Sequence, residues 1–239
     1  MIFRGWQKVS LNEWPNKVCS VIFTGGCNFR CPFCHNFDLV LNQDKFPVIT
    51  EKEILDYLKS NNDLLDGVMI TGGEPLLGME NKDSAGLKNL IDFIQKIKEI
   101  GLLVGIETNG SFPRALEFLI EKKAIDYIAM DIKAPLKQDK YDKLSGQKID
   151  LKKIKKSVKL IIGSEINYEF RTTAVPNLLT SEDILEIIKD LKGAKNYYLQ
   201  QFNSKNVLDK NLKESPYSND WFEAIKEKIK KGFKINLRV

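Results

Sequence analysis

The chain has 239 residues, of which 43% are hydrophobic and 29% charged, a composition that excludes wholesale disorder and a fibrous protein. Its net charge of +5 arises from 37 basic and 32 acidic residues that are interleaved along the helical stretches, which favours a solvated surface over nucleic-acid binding. No apolar run reaches the roughly 18–20 residues of a transmembrane helix, and no signal-peptide pattern opens the chain, so we expect a cytoplasmic protein without a membrane partner.

Six β-prone runs alternate with helical patterns along the chain. The first run, 18–24, is almost continuously apolar and ends at Gly25 and Gly26, which is typical of a strand buried on both faces. Further strands are predicted at 67–71, 102–108, 126–133, 168–175 and 196–201, with helices between them at 51–60, 84–100, 113–123, 151–162 and 181–191. After a polar connector at 203–218, the stretch 219–239 predicts a helix followed by a short strand at 233–238.

This strict alternation, at about 31 residues per unit, predicts an α/β fold with a parallel sheet and right-handed crossovers. Six units are too few for a closed eight-stranded barrel, so the sheet is expected to be doubly wound or curled toward a barrel. We find no linker to a second domain and predict one domain over 1–239, with its core at about 17–202.

The cysteines point to a metal centre. Cys27, Cys31 and Cys34 follow the first predicted strand closely, whereas Cys19 lies within it and is expected to be a small buried apolar residue. Three thiolates on a loop leave one coordination position open, which suits a 4Fe–4S cluster, whereas structural zinc needs four ligands. An iron–sulfur electron-transfer module and a zinc-binding module are the alternatives from another class. Because His35 is the only histidine, hydrolase triads and His-rich zinc sites are excluded.

Polar and glycine-rich residues follow strand after strand at the carboxyl end. These stretches are Thr71-Gly72-Gly73-Glu74, Thr108-Asn109-Gly110 and Asp131-Ile132-Lys133. In α/β folds this edge of the sheet is where ligands bind. Asp131 and Lys133 are two residues apart and are expected to point to the same face.

The segment Cys27-Asn28-Phe29-Arg30-Cys31-Pro32-Phe33-Cys34 resembles the CxxxCxxC signature of radical S-adenosylmethionine (SAM) enzymes. Its continuation, Cys34-His35-Asn36, and the lead-in at 7–15 are similar to the glycyl-radical-enzyme activating branch. Within that branch the similarity is to the activators of anaerobic ribonucleoside-triphosphate reductase and of pyruvate formate-lyase. The resemblance runs from Gln7 to about Gln201 and implies a partial (β/α)6 barrel with parallel strands.

The resemblance also implies a role for each matched residue. Cys27, Cys31 and Cys34 would hold a 4Fe–4S cluster whose open iron binds SAM, so that an electron entering the cluster releases a 5′-deoxyadenosyl radical. The implied SAM contacts are Phe33 with Cys34 and His35 at adenine, Gly72 and Gly73 at the methionine amino group, Glu74 directly after them, and Asp131, Ile132 and Lys133 at the mouth.

The chain departs from these relatives at Glu107 and near Gln201 and Phe202, and the role of Arg171 has alternatives. Glu107 and Thr108 match an acid–threonine pair that helps to hold a monovalent cation in pyruvate formate-lyase activators, which have Asp in place of this Glu. Arg171 is expected to meet the SAM carboxylate or the substrate peptide, or to brace the barrel. The histidine that those relatives present after the sixth strand is replaced near Gln201 and Phe202.

The resemblance implies an activating enzyme that places a glycyl radical on a partner enzyme, with a flavodoxin- or ferredoxin-type protein as reductant. We expect an anaerobic ribonucleotide reductase as the partner, with a pyruvate formate-lyase-type enzyme as the alternative. The chain is short and has no cysteines for auxiliary clusters, which favours a protein substrate. The alternative within the superfamily is a deazapurine-synthase-like enzyme that acts on a small molecule.

Overall fold

The computed structural model describes residues 2–229 and 235–238, and its strands form one sheet. The eight strands are β1 (Phe3–Ser10), β2 (Cys19–Thr24), β3 (Gly67–Gly72), β4 (Leu103–Thr108), β5 (Tyr127–Asp131), β6 (Asn167–Ala174), β7 (Tyr197–Gln201) and β8 (Ile235–Arg238). They lie in sequential order, and only the pair of β1 and β2 is antiparallel. The predicted α/β fold with parallel strands is confirmed.

Helices connect the parallel strands. They are α1 (Phe37–Leu41), α2 (Glu51–Ser60), α3 (Ala85–Glu99), α4 (Pro113–Glu121), α5 (Gln138–Ser145), α6 (Leu151–Ile162), α7 (Ser181–Asp190) and α8 (Asn219–Lys228), with a 3-10 turn at Gln43–Lys45. Capping boxes, Thr50 with Glu53 and Thr180 with Asp183, fix the starts of α2 and α7. Within the described ranges, no helix has the length and apolar character needed to cross a membrane.

The sequential strand order determines where the helices lie. Crossovers between neighbouring parallel strands are right-handed as a rule, and buried residues of α2, α3, α4, α6 and α7 share one core cluster, so these helices pack on one face of the sheet. That face carries the large core, which includes Ile70, Ile106 and Ile128. The other face, called here the inner face, is left for a smaller cluster and for polar side chains.

The stretch between β1 and β2 fills part of the inner face. The Trp14 indole stacks on the Tyr127 ring with 4.8 Å between centroids and 17° between planes, and it packs with Cys19, Val21 and Met69. The buried strand residue Cys19 is fully covered in this cluster.

Some elements differ from the sequence prediction. Strand β1 and helices α1 and α5 were not predicted, because β1 is an edge strand without a continuous apolar run and the two helices are short. The strand predicted at 126–133 ends at Asp131, so Lys133 follows it rather than lying within it. The predicted strand at 233–238 begins at residues outside the described ranges, and Ile235–Arg238 forms β8.

Candidate active site at the carboxyl edge of the sheet

The loop after β2 holds the three clustered cysteines in a tightly hydrogen-bonded arrangement. Arg30 Nη1 donates to the carbonyl oxygens of Cys27 and Phe29, both at 2.7 Å. The backbone N–H of Cys34 donates to the Cys31 carbonyl at 3.0 Å, and that of Arg30 donates to the Ser145 carbonyl at 2.7 Å. The loop is therefore fixed both internally and against the end of α5.

The polar connector predicted at 203–218 packs on the outside of this loop. The backbone N–H of Asp209 donates to the Pro32 carbonyl at 2.9 Å. The Lys210 ammonium lies 4.3 Å from the centroid of the Phe37 ring, at the start of α1. The carboxyl-terminal part of the chain thus supports the cysteine loop.

One cleft at the carboxyl ends of β2 to β6 collects most of the predicted site residues. Of the fourteen, eleven line this cleft: Cys27, Cys31, Phe33, Cys34, His35, Gly72, Gly73, Glu107, Thr108, Asp131 and Lys133. The remaining three, Glu74, Ile132 and Arg171, do not line it and lie beneath its surface. Residues that approach from loops far apart in sequence therefore meet at one place.

Asp131 and Lys133 form an ion pair inside the cleft. The Lys133 ammonium lies 2.7 Å from Asp131 Oδ2 and 5.7 Å from the centroid of the Phe33 ring. Burial opposes ionisation of Asp131, but the charges of Lys133 and Arg171 outweigh it and lower the pKa of the carboxyl. At neutral pH the pair thus presents a carboxylate and an ammonium beside an aromatic ring.

Gly72 and Gly73 are required by the close approach of two loops. A Cβ on Gly73 would lie 1.7 Å from the Gly26 carbonyl oxygen, at the start of the cysteine loop. Gly72 has a φ of 123°, and a Cβ there would lie 2.3 Å from the Thr24 carbonyl oxygen. The two glycines let the loop after β3 pack directly against the loop that carries the cysteines.

Glu74 is a buried hydrogen-bond acceptor that joins two strand ends. Its carboxylate accepts from Thr108 Oγ1 at 2.8 Å and from the backbone N–H groups of Asn109 at 2.7 Å and Leu76 at 3.1 Å. Burial raises the pKa of Glu74 to about 7, although these hydrogen bonds lower it. Glu74 does not line the cleft, and its carboxylate braces the loops after β3 and β4, so a direct contact with SAM stays a prediction.

Arg171 lies on the inner face under the cleft. Its guanidinium is 2.8 Å from Glu107 Oε1 and 3.4 Å from Asp131 Oδ1, and it lies 3.8 Å from a carboxylate oxygen of Glu13. Only 4% of the residue is exposed. The side chain thus ties cleft carboxylates to the sheet, and a contact of Arg171 with SAM or with the substrate peptide stays a prediction. The adjoining Ile132 is fully buried in the core on the helix-bearing face.

Three residues with evident roles in this geometry were not singled out from the sequence. Asn109 Nδ2 lies 3.8 Å from Cys27 Sγ, and Asn36 Nδ2 donates to the Gly72 carbonyl at 3.2 Å. The Glu13 carboxylate contacts the Arg171 guanidinium. Burial, and after it the nearby charge of Glu107, raises the pKa of Glu13 to about 7. Asn109 and Asn36 stand inside the motifs Thr108-Asn109-Gly110 and Cys34-His35-Asn36, and Glu13 lies in the lead-in at 7–15.

The residues of the cleft fit an iron–sulfur cluster together with SAM. In the described part of the chain no three Cys, His, Asp or Glu residues are grouped to hold one metal ion, but a cubane cluster takes each thiolate on a separate iron. Burial raises the pKa of Cys27 to about 11 and of Cys31 to about 12, so a metal must displace the thiol protons to bind. The ion pair and Phe33 offer charge and a ring face for an amino acid and a purine.

The sequence has well-defined relatives. Residues 21–191 match the family model of the radical SAM superfamily. The chain is 36% identical over 219 residues to a Methanocaldococcus jannaschii protein that carries the provisional name of a glycyl-radical enzyme activating enzyme, covering 89% of this chain and 84% of the relative. It is 30% identical over 184 residues to 7-carboxy-7-deazaguanine synthase of Clostridium acetobutylicum, covering 70% and 77%. It is 28% identical over 234 residues to pyruvate formate-lyase-activating enzyme of Clostridium pasteurianum, covering 94% and 92%.

The fold has relatives among solved structures. The crystal structure of Streptococcus suis SuiB bound to S-adenosylmethionine matches with a TM-score of 0.69 and 14% identity. The match covers 92% of this chain and 50% of SuiB, so the chain spans about half the length of that protein. At this identity the likeness concerns the fold. Because the family model covers well over half of the sequence, this chain belongs to the radical SAM superfamily and is an enzyme of that superfamily.

Proposed function

We propose that this chain is a glycyl-radical-enzyme activating enzyme and that its partner is an anaerobic ribonucleotide reductase. The observation that carries the proposal is the meeting of Cys27, Cys31 and Cys34 in the same cleft as the Asp131–Lys133 ion pair. The similarity to an activating enzyme over 84% of that relative's length supports the class of reaction. The choice of partner rests on Cys34-His35-Asn36 and the lead-in at 7–15.

In this proposal the three thiolates hold a 4Fe–4S cluster and the rest of the cleft holds SAM. When bound, these groups supply a one-electron cleavage of the sulfonium C–S bond, which yields methionine and a 5′-deoxyadenosyl radical. Lys133 offers a positive charge to the SAM carboxylate, Asp131 offers a negative charge to its amino group, and Phe33 packs against adenine. Gly72, Gly73 and Thr108 shape the wall of the cleft.

The protein substrate is a glycine of the partner enzyme. Its Cα–H bond breaks and the hydrogen atom forms the new C–H bond of 5′-deoxyadenosine, so that the unpaired electron stays on the glycine. The chain's task is to hold the reacting groups close together and away from water. His35 is exposed at the edge of the cleft, which marks the side from which a loop of the partner can approach.

We propose that Arg171 takes the place of a monovalent cation in this chain. The resemblance implied a cation held by Glu107 and Thr108 beside Asp131, but the Arg171 guanidinium already contacts both Glu107 and Asp131. We therefore expect the dissociation constant of SAM to change by less than about twofold when sodium or potassium replaces a bulky organic cation at constant ionic strength. A much larger and ion-specific change, measured by equilibrium dialysis, would contradict this assignment.

A second candidate function is supported by one specific observation. The 30% identity to a 7-carboxy-7-deazaguanine synthase covers 77% of that relative, so a radical SAM reaction on a small purine-like molecule is the alternative. The same cysteines and ion pair would serve it. The two candidates differ in what loses the hydrogen atom.

Electron paramagnetic resonance distinguishes these candidates. The reduced enzyme and SAM are mixed anaerobically with an anaerobic ribonucleotide reductase or with a pyruvate formate-lyase, and 5′-deoxyadenosine is measured in parallel. We expect the doublet of a glycyl radical, split by its remaining α-hydrogen, with the reductase. A doublet with pyruvate formate-lyase alone would correct the partner. No doublet with either enzyme, together with SAM cleavage that depends on a small purine precursor, would favour the synthase.

A further inference from the structure

The positive charge of the chain is concentrated in one segment. Residues 148–159 contain six lysines and one aspartate, a surplus of five that equals the net charge of +5 of the whole chain. Outside 148–159 the basic and acidic residues are equal in number and interleaved. Within 148–159 the basic residues predominate. Apolar residues such as Ile154 and Val158 bury one face of α6, and the lysines at 152, 153, 155, 156 and 159 are exposed on the other.

Part of this lysine-rich face forms a groove beside the cysteine loop. Lys152, Lys153 and Lys156 line it together with Arg114 near the start of α4. Ser157 Oγ donates to the Gly110 carbonyl at 2.7 Å, which fixes α6 against the loop after β4. The acids at the groove are Glu80, Asp150, whose carboxylate accepts from the Lys152 N–H, and Glu117, which pairs with Lys156 at 2.8 Å. The groove is thus basic but mixed in charge, as protein interfaces are.

A row of hydrogen-bonded side chains joins this groove to the first cysteine. Ser111 lines the groove and its Oγ accepts from Asn28 Nδ2 at 2.9 Å. Asn28 Oδ1 accepts from Asn109 Nδ2 at 3.0 Å, and Asn109 Nδ2 lies 3.8 Å from Cys27 Sγ. Three side chains therefore bridge the distance from the groove to a thiol of the cleft.

We propose that this groove docks an acidic one-electron carrier protein, of the flavodoxin or ferredoxin class, which delivers its electron on the Cys27 side. The inference rests on the proposed function, because cleavage of SAM consumes one electron from outside the chain. The reduced flavin or iron–sulfur cluster of the carrier loses one electron and the site gains it, so no atom is transferred. An electron can cross the short bridge through Asn109, Asn28 and Ser111 without the carrier entering the cleft.

The geometry favours an electron carrier over the other polyanionic or protein partners. A substrate glycine must enter the cleft, and in the described part of the chain the groove and the cleft have no lining residue in common. The acids Glu80 and Asp150 would repel the phosphates of a nucleic acid at close range, whereas an acidic protein also presents basic groups that can face them.

The test compares two charge reversals of equal size. One variant carries Lys152→Glu and Lys153→Glu in the groove. The control carries Lys189→Glu and Lys192→Glu at the end of α7, which lies at the amino ends of the parallel strands, away from the groove. Binding of an oxidised flavodoxin, and separately of a two-cluster ferredoxin, is measured by biolayer interferometry on reconstituted enzyme. We expect the groove variant to lower the association rate of the carrier about tenfold or more, and the control to change it by less than about twofold.

Other outcomes would overturn the docking site. Equal effects of the two variants on the association rate, or no effect of either, would contradict the site. Binding of neither carrier to the wild-type enzyme would also contradict it, as would tighter binding of a short single-stranded RNA than of the carriers. Iron content and melting temperature of each variant establish that it is folded and loaded. SAM cleavage driven by dithionite in the wild-type enzyme tests separately the one-electron reaction on which the inference rests, since this small reductant needs no docking surface, and the glycyl-radical doublet described above tests the proposed function.

Discussion

The Asp131–Lys133 ion pair is the charged feature of the cleft that most directly supports a cofactor role. The Lys133 ammonium lies 2.7 Å from Asp131 Oδ2 and beside the Phe33 ring. Arg171 contacts the same aspartate from the sheet side of the cleft. A cofactor-binding pair and a purely structural pair predict different effects of removing either charge on SAM binding.

We predict that Lys133→Met and Asp131→Asn each raise the dissociation constant of SAM by about tenfold or more, because a charge-assisted contact is lost. Each change should also cost about 1–2 kcal/mol of stability, less than for a fully buried pair because a third of the Asp131 side chain is exposed. Lys98→Met, which breaks the 2.9 Å pair with Asp126 at the other edge of the sheet, is the matched control. Wild-type SAM binding in both cleft variants would show that the pair is only structural.

The cysteines divide into two groups with different surroundings. Cys27, Cys31 and Cys34 line the cleft, whereas Cys19 is fully buried among Trp14, Val21 and Met69, where burial raises the pKa of its thiol to about 12. We predict that replacing any one of the three by Ala abolishes binding of the cluster, because three thiolates are the proposed ligands.

In the same experiment, Cys19→Ala should keep its iron and lose only stability. Iron and sulfide per chain, measured after anaerobic reconstitution together with the visible absorption of the cluster, decide the outcome. Loss of iron in Cys19→Ala with retention in Cys31→Ala would refute the assignment of ligands.

At the scale of elements, the contact between the end of β3 and the cysteine loop positions the site. Gly73 meets the Gly26 carbonyl so closely that no side chain fits, and the N–H of Glu74 donates to the same carbonyl at 2.9 Å. The loops after β2 and β3 therefore hold each other in position, and we expect a change in either to displace the cysteines.

We predict that Gly73→Ala destabilises the protein by about 3 kcal/mol or more and lowers its iron content, because backbone must shift to admit the Cβ. The control is Gly86→Ala in α3, where the nearest atoms are side-chain atoms of Met79 at 3.5 Å or more and the change should stabilise by about 0.5 kcal/mol. Urea unfolding and iron analysis of both variants measure these effects. Normal iron content in Gly73→Ala would show that the cysteine loop does not depend on this contact.

At the scale of the whole molecule, charged side chains occupy the inner face under the cleft. Arg171 and Arg238 interact there with carboxylates from four separate segments: Glu13, Glu107, Asp131 and Glu169. Because Glu13 is partly buried and close to Glu107, its pKa is raised to about 7, so the folded protein holds a proton that the unfolded chain releases above its ordinary pKa of 4.5.

The sign of the resulting pH dependence follows from this pKa. The folded state binds more protons than the unfolded state between the two values, so the contribution of Glu13 to stability is present at low pH and is lost as pH rises to about 7. We predict that the free energy of unfolding of Glu13→Gln equals that of the wild type at about pH 5 and exceeds it by about 1 kcal/mol above neutral pH. This figure is reduced because Glu13 is partly exposed. Urea unfolding of both proteins in the same metal-free state, from about pH 5 to about pH 8, measures the difference. Parallel stability curves would contradict the raised pKa.

The sequence by itself determined the elements and motifs that are local along the chain. Alternating β-prone and amphipathic runs gave the parallel α/β architecture, and the carboxyl ends of the predicted strands gave the edge where eleven of the predicted residues meet. The spacing of Cys27, Cys31 and Cys34 indicated the superfamily because the ligand geometry is built within eight residues. The edge strand β1 was missed because a strand paired on one side lacks the continuous apolar run.

Only the tertiary structure decided which way the polar side chains at this edge turn. Glu74 faces the loop after β4, and Arg171 lies beside Asp131 because β5 and β6 pair in that register. Such contacts join residues tens of positions apart, and a shift of one residue in a strand would send each side chain to the opposite face. The contact of Glu13 with Arg171, the stacking of Trp14 on Tyr127 and the path from the lysine groove to Cys27 depend on the same long-range register, which no local pattern encodes.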